Sequence, residues 1–152
     1  MEAIVLCGLQ GAGKTTLYRE RWQAGHVRIS MDELGSRARE AALLDACLAE
    51  GRPFVVDNTN PTPAHRRRYV EPAREAGFRV VGYLVDAGAS EALGRNAGRE
   101  GRARIPDLGV IGTARQFIRP APEEGFDELW HATPAPGGGF RIEPLASTEP
   151  LF

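Results

Sequence analysis

The chain has 152 residues, a formal net charge of −1, 42% apolar and 26% charged residues, enough for one soluble domain without disulfides or structural metal. It holds no run of about eighteen apolar residues and no basic stretch followed by an apolar core and cleavage site, so neither a membrane span nor export is expected. Residues 1–119 carry 18 Arg plus Lys against 14 acids and residues 120–152 one Arg against six, which allows a local anion site but no broad electrostatic footprint for nucleic acid.

The apolar run Ile4-Val5-Leu6 predicts a first strand, and it leads into Gly8-Leu9-Gln10-Gly11-Ala12-Gly13-Lys14-Thr15, followed by a helix-compatible stretch from Thr16 to Gln23. The eight residues fit G-x-x-x-x-G-K-[ST] in the strand–loop–helix context that motif requires, which defines a P-loop. Glycines admit backbone conformations closed to residues with a Cβ, so successive N–H groups can turn inward around phosphates at the positive end of a helix. Gly8, Gly11, Ala12, Gly13, Lys14, Thr15 and Thr16 are therefore the candidate nucleotide-binding residues. Lys14 would then reach the β- and γ-phosphates, and the Thr15 hydroxyl would be a ligand of Mg²⁺. Lys14 is also the only lysine in the chain; every other basic residue is Arg.

Gly25 to Ser30 reads as a second strand, with Asp32 just past its C-terminal end. Ligands of open parallel sheets bind at that edge. Asp32 is a candidate general base toward an attacking hydroxyl, or else the N-cap of the helical stretch that follows. Ser36 to Glu50 has helical apolar spacing and stops at Gly51, with Arg37 and Arg39 expected in solvent. Pro53-Phe54-Val55-Val56-Asp57 is a buried strand ending in an acid. Asp57 either assists Mg²⁺, as in a Walker B segment, or caps the next turn. Asn58 to Pro63 is a loop on the same edge, and Ala64 to Ala76 an Arg-rich helix whose face is expected in solvent.

Arg79 to Asp86 is the clearest strand pattern, and the alternation of strands with helices predicts a three-layer α/β fold around a parallel sheet. Between Arg95 and Pro106, Arg95, Arg99, Arg102 and Arg104 are interleaved with Gly and Ala. That composition suits a segment closing over phosphates. A helix over Asp107 to Ile118, a short strand at Phe126 to His131 and a pairing segment at Phe140 to Ile142 complete the pattern. Cys7 and Cys47 lack C-x-x-C spacing and read as buried free thiols of a reducing compartment, so a cytoplasmic location is expected. The histidines have no metal-spaced companions.

With these residues in hand, the chain resembles the kinase domain of polynucleotide 5′-kinases, P-loop phosphotransferases of nucleic-acid end repair, over roughly Met1 to Leu129. GLQGAGKTT at 8–16, SMDELG at 30–35, VVDNTNP at 55–61 and the RNxxREGRARIPD segment at 95–107 carry the likeness, and GTARQF with EEGFDELW match the end of that domain. The resemblance implies a P-loop kinase fold with about five parallel strands and an Arg-rich lid at 95–106. Residues 1–133 would form the domain and 134–152 a Pro/Gly-rich extension. It implies γ-phosphoryl transfer from ATP, with Mg²⁺, to 5′-hydroxyl ends of DNA or RNA. Asp32 would be the base, Lys14 the phosphate-holding cation, and Asp57 would act on the metal. Arg95, Arg99 and Arg102 would bind nucleotide, the first two catalytically. Many members carry Arg where this chain has Met31, and viral ones an Arg where it has Gly35. The alternatives are a kinase for a nucleoside, sugar or antibiotic hydroxyl on the same scaffold, and an ATP-dependent switch.

Overall fold

The computed structural model describes residues 1–86 and 115–146. The expected lid at 95–106 and most of the expected helix after Asp107 lie outside the described residues. The strands are β1 (Glu2–Cys7), β2 (Val27–Ile29), β3 (Phe54–Asp57), β4 (Arg79–Val85), β5 (Glu128–Pro134) and β6 (Phe140–Pro144), and the helices α1 (Lys14–Arg21), α2 (Met31–Leu34), α3 (Arg37–Glu50) and α4 (Pro63–Glu75). They form one sheet in the order β2-β3-β1-β4-β5-β6, parallel except for the last pair. The antiparallel β6 lies at the pairing segment expected at Phe140 to Ile142 and adds a sixth strand to the five parallel ones. It folds back from β5 across the turn of Gly137, Gly138 and Gly139, all at positive φ.

The central strands are apolar on both faces because helices cover both. Along β1 the side chains alternate. Ala3, Val5 and Cys7 join Leu44, Cys47, Val70 and Ala73 under α3 and α4, while Ile4 and Leu6 join Leu17, Tyr18 and Trp22 under α1. Local signals end the helices where the fold needs them. Ser36 accepts from the Arg39 N–H and Thr62 from that of His65, Pro63 opens α4, and Gly51 closes α3 at φ 69°.

The strand order also locates the ligand edge. The chain leaves β1 through α1 toward β2 on one side, and leaves β3 through α4 toward β4 on the other. The C-terminal ends of β1 and β3 therefore diverge in their connections, which opens the crevice typical of doubly wound sheets. β1 and β3 are direct neighbours, with Leu6 opposite Asp57. The P-loop and the Asp57–Asn60 segment consequently emerge side by side.

Candidate active site

The P-loop is shaped by backbone. Gly13 takes φ 102° as the cap of α1, a left-handed conformation that L side chains disfavour. Gly8 is needed for clearance, since a Cβ there would stand 2.5 Å from the Val85 carbonyl oxygen. The Lys14 ammonium is drawn back over the loop, donating to the carbonyls of Gly8 and Leu9 at 2.9 Å each, and is only 9% exposed. Behind it, the Cys7 thiol is pushed up to about 12, chiefly by burial.

The neighbouring segment, Asp57-Asn58-Thr59-Asn60, is held by side chains as well as backbone, each reaching a different element. Asp57 Oδ2 accepts from the Thr15 hydroxyl at 2.8 Å. Asn58 Oδ1 accepts from the Met31 N–H at 2.9 Å, and Asn58 Nδ2 donates to Glu40. The Thr59 carbonyl accepts from the Gly8 N–H at 3.0 Å, while its hydroxyl accepts from the Gln10 amide. Asn60, at φ 48° and 3% exposed, donates to the Leu6 carbonyl and accepts through its own carbonyl from Arg66. From sequence, Asp57 is a metal-assisting or turn-capping acid and Asn58 onward a loop; the structure makes the whole segment the joint between P-loop, α2, α3 and α4.

These parts enclose a cavity of about 410 Å³, a size suited to a small ligand or the phosphate arm of a nucleotide. Gly11, Gly13, Lys14, Thr15, Thr16, Asp32 and Asp57 line it. Gly8 and Ala12 are buried behind the lining. Arg95, Arg99, Arg102 and Arg104 lie outside the described residues. Asp32 stands in the first turn of α2, exposed, and its carboxylate takes no hydrogen bond from any of the described residues. Ser30, the residue ahead of that helix, makes no side-chain cap.

Three basic groups have partners that the sequence did not indicate. Arg28 is flanked along β2 by the partly buried Val27 and fully buried Ile29. Its Nε and Nη2 reach Asp57 Oδ2 at 2.9 Å, Nη2 also donates to Thr15 Oγ1 at 3.1 Å, and Nη1 pairs with Glu33 at 2.7 Å. An arginine in the middle of a short apolar strand was the available signal. Arg37 is exposed, as expected, and also lines the cavity, with Nη1 held by Glu40 and the Tyr69 hydroxyl. Arg66, expected on a solvated face, is fully buried and bidentate to Glu124 at 2.7 and 3.0 Å. His65 also lines the cavity. Burial first, then the charges of Arg68, Arg37 and Arg66, push its pKa below the usual histidine value, so at neutral pH the imidazole adds no cation.

A three-layer sheet with this loop at its switch point defines a P-loop kinase fold. A crystal structure of Kti12 from Chaetomium thermophilum in complex with ADP-AlF3 superposes with TM-score 0.66 at 20% identity, covering 85% of this chain and 87% of that one. A sugar kinase from Janibacter superposes with TM-score 0.64 at 18% identity, covering 86% and 85%. Residues 4–120 match the model of the AAA domain family, and the chain belongs to that family. A bifunctional polynucleotide phosphatase/kinase of Schizosaccharomyces pombe is 27% identical over 134 residues, 84% of this chain. That match bears out the resemblance seen in the sequence motifs. The chain spans about a third of that relative's length, 32%. Among the described residues no helix is long and apolar enough to cross a membrane.

Proposed function

We propose that the protein transfers the γ-phosphoryl group of ATP to the 5′-hydroxyl end of DNA or RNA. One observation carries the reading: the exposed Asp32 carboxylate and the buried Lys14 ammonium line the same cavity. In this scheme Asp32 accepts the hydroxyl proton as that oxygen attacks phosphorus, the bond to ADP breaks, and Lys14 offsets the charge that collects on the phosphate oxygens. Arg95, Arg99 and Arg102 belong to the proposal as lid residues on the strength of the motif resemblance.

The residues present fit a magnesium ion. Thr15 Oγ1 and Asp57 Oδ2 are hard oxygen donors 2.8 Å apart on the cavity wall. Thr15 and Asp57 are the residues that would hold it, and when bound it neutralises charge on the β- and γ-phosphates.

The polynucleotide kinase relative and the matched motifs favour a nucleic-acid acceptor. Arg37 is the guanidinium that lines the cavity among the described residues, beside a neutral His65. That sparse charge favours, as a second reading, a small alcohol such as a nucleoside or sugar. Buried free thiols at Cys7 and Cys47 support a reducing, cytoplasmic setting. The deciding experiment offers γ-labelled ATP together with 5′-OH oligonucleotides of DNA and RNA and a panel of small alcohols. The label should appear on the oligonucleotide 5′ end, with an acceptor affinity that weakens as salt rises. Label found on a small alcohol alone, or released only as inorganic phosphate, would sink the nucleic-acid reading.

A further inference from the structure

The one-turn helix α2 that carries Asp32 cannot hold itself in place. It has four residues, and its first N–H groups have no partner within the helix. The usual remedy is a side-chain cap from the preceding residue, and Ser30 supplies none. The Met31 N–H is instead taken by Asn58 Oδ1 at 2.9 Å, across 27 residues of sequence. A side chain from the end of β3 therefore stands in for the missing cap.

An amide can face Met31 in either of two ways, and only the one presenting oxygen is useful. The choice is made by Glu40 together with the Tyr69 hydroxyl oxygen, which also accepts from Asn58 Nδ2, at 3.1 Å. The Glu40 carboxylate is 1% exposed and can only accept hydrogen bonds. Oε2 accepts from Asn58 Nδ2 at 2.9 Å, and Oε1 accepts from Tyr69 Oη at 2.9 Å and Arg37 Nη1 at 2.7 Å. Burial, then the adjacent Glu40, raise the Tyr69 pKa and keep that hydroxyl a donor. With both carboxylate oxygens accepting, the NH₂ of Asn58 must turn toward Glu40 and its oxygen toward Met31.

We infer that Glu40 is a positioning residue for Asp32: buried behind the cavity, it fixes the orientation of Asn58, which anchors the backbone of the Asp32 helix. Asp32's chemical role rests on the proposed phosphoryl transfer; the anchoring itself does not.

The test uses Glu40→Gln, Asn58→Asp and the double variant. In Glu40→Gln, an amide keeping its oxygen toward Arg37 and Tyr69 presents NH₂ to Asn58, which must then turn its own oxygen away from Met31. In the double variant that same NH₂ donates to a carboxylate in place of the Asn58 amide, and the second carboxylate oxygen again accepts from Met31. Amide hydrogen exchange read by NMR should show Met31 protection falling about tenfold in Glu40→Gln, the worth of one hydrogen bond. Protection at Leu6 in β1 should not change, which certifies that the variant is folded. The double variant should regain Met31 protection. Turnover should follow the same pattern, with kcat falling about tenfold and returning, while ADP affinity stays within about twofold because the P-loop is untouched. Full Met31 protection in Glu40→Gln, or no recovery in the double variant, overturns the inference. If the wild-type protein transfers nothing to 5′-OH oligonucleotides, the acceptor assignment falls, and Met31 exchange still decides the role of Glu40.

Discussion

Two loops leave neighbouring strands at one edge of the sheet and are built by opposite means. The P-loop after β1 is held chiefly by its own backbone: glycines at positive φ, and the carbonyls of Gly8 and Leu9 against the Lys14 ammonium. The Asp57–Asn60 segment after β3 depends on side chains, whose partners Thr15, Arg28, Met31, Glu40 and Leu6 come from five other parts of the chain. A backbone-built loop presents fixed N–H groups to a chemically constant ligand such as a polyphosphate. A side-chain-built segment can be retuned one residue at a time.

The largest effect should come from separating the two walls chemically. Asp32→Ala should lower phosphoryl transfer by about 10²- to 10⁴-fold, the usual span for losing a general base, with ADP affinity unchanged. Lys14→Ala should cost both turnover and nucleotide affinity, measured by steady-state kinetics and fluorescent-nucleotide titration. If Asp32→Ala weakened ADP binding as much as Lys14→Ala, the cavity would not divide into a donor and an acceptor wall. Next in size is the anchor beneath the second segment. Arg66→Ala would leave Glu124, 12% exposed, without its partner and the Asn60 carbonyl without its donor. The cost should be about 3–5 kcal/mol, a fall in Tm of roughly 10 °C by calorimetry. A fall of only a degree or two would mean that the segment is held from the P-loop side instead.

The same contrast explains what sequence could tell. The P-loop is local: eight consecutive residues carry the spacing, and the chemistry of glycine and lysine gives it meaning. Strands and helices followed from apolar periodicity, and Asp32 could be singled out because it lies just past a strand pattern at the ligand edge. Arg28 gave only the signal of an arginine inside a short apolar strand, and Glu40 and Arg66 gave none. Their partners lie 29, 18 and 58 residues away, and an arginine or glutamate in a helical or strand pattern is ordinarily solvent-facing. What draws them inward is the need to satisfy polar groups gathered at the switch point, which exists only once the sheet has formed. Asn58 could be located as a loop residue but not as the helix anchor, because its task is defined by Met31 and Glu40 on other elements.

The smallest effect expected is one of rate alone. Cys7 ends β1 directly beneath the P-loop, and Cys47 lies in α3; both are fully buried. A thiol reagent attacks the thiolate, and burial raises both pKa values, that of Cys7 to about 12. At pH 8 about one Cys7 in ten thousand is then ionised in the closed state, so labelling must proceed through opening. If the backbone-built half opens only with the whole molecule, Cys7 labelling should track global unfolding. Cys47, on the helix whose Glu40 supports the side-chain-built half, should be reached sooner through local opening. Mass spectrometry after timed alkylation reads both sites in one sample. Raising the pH from 7 to 9 should accelerate both without changing their order, since in the opened state each thiol returns to its ordinary pKa of about 8.5 and its thiolate fraction climbs across that interval. Cys7 labelled first would show that the P-loop breathes more readily than its neighbour, the reverse of what its backbone construction implies.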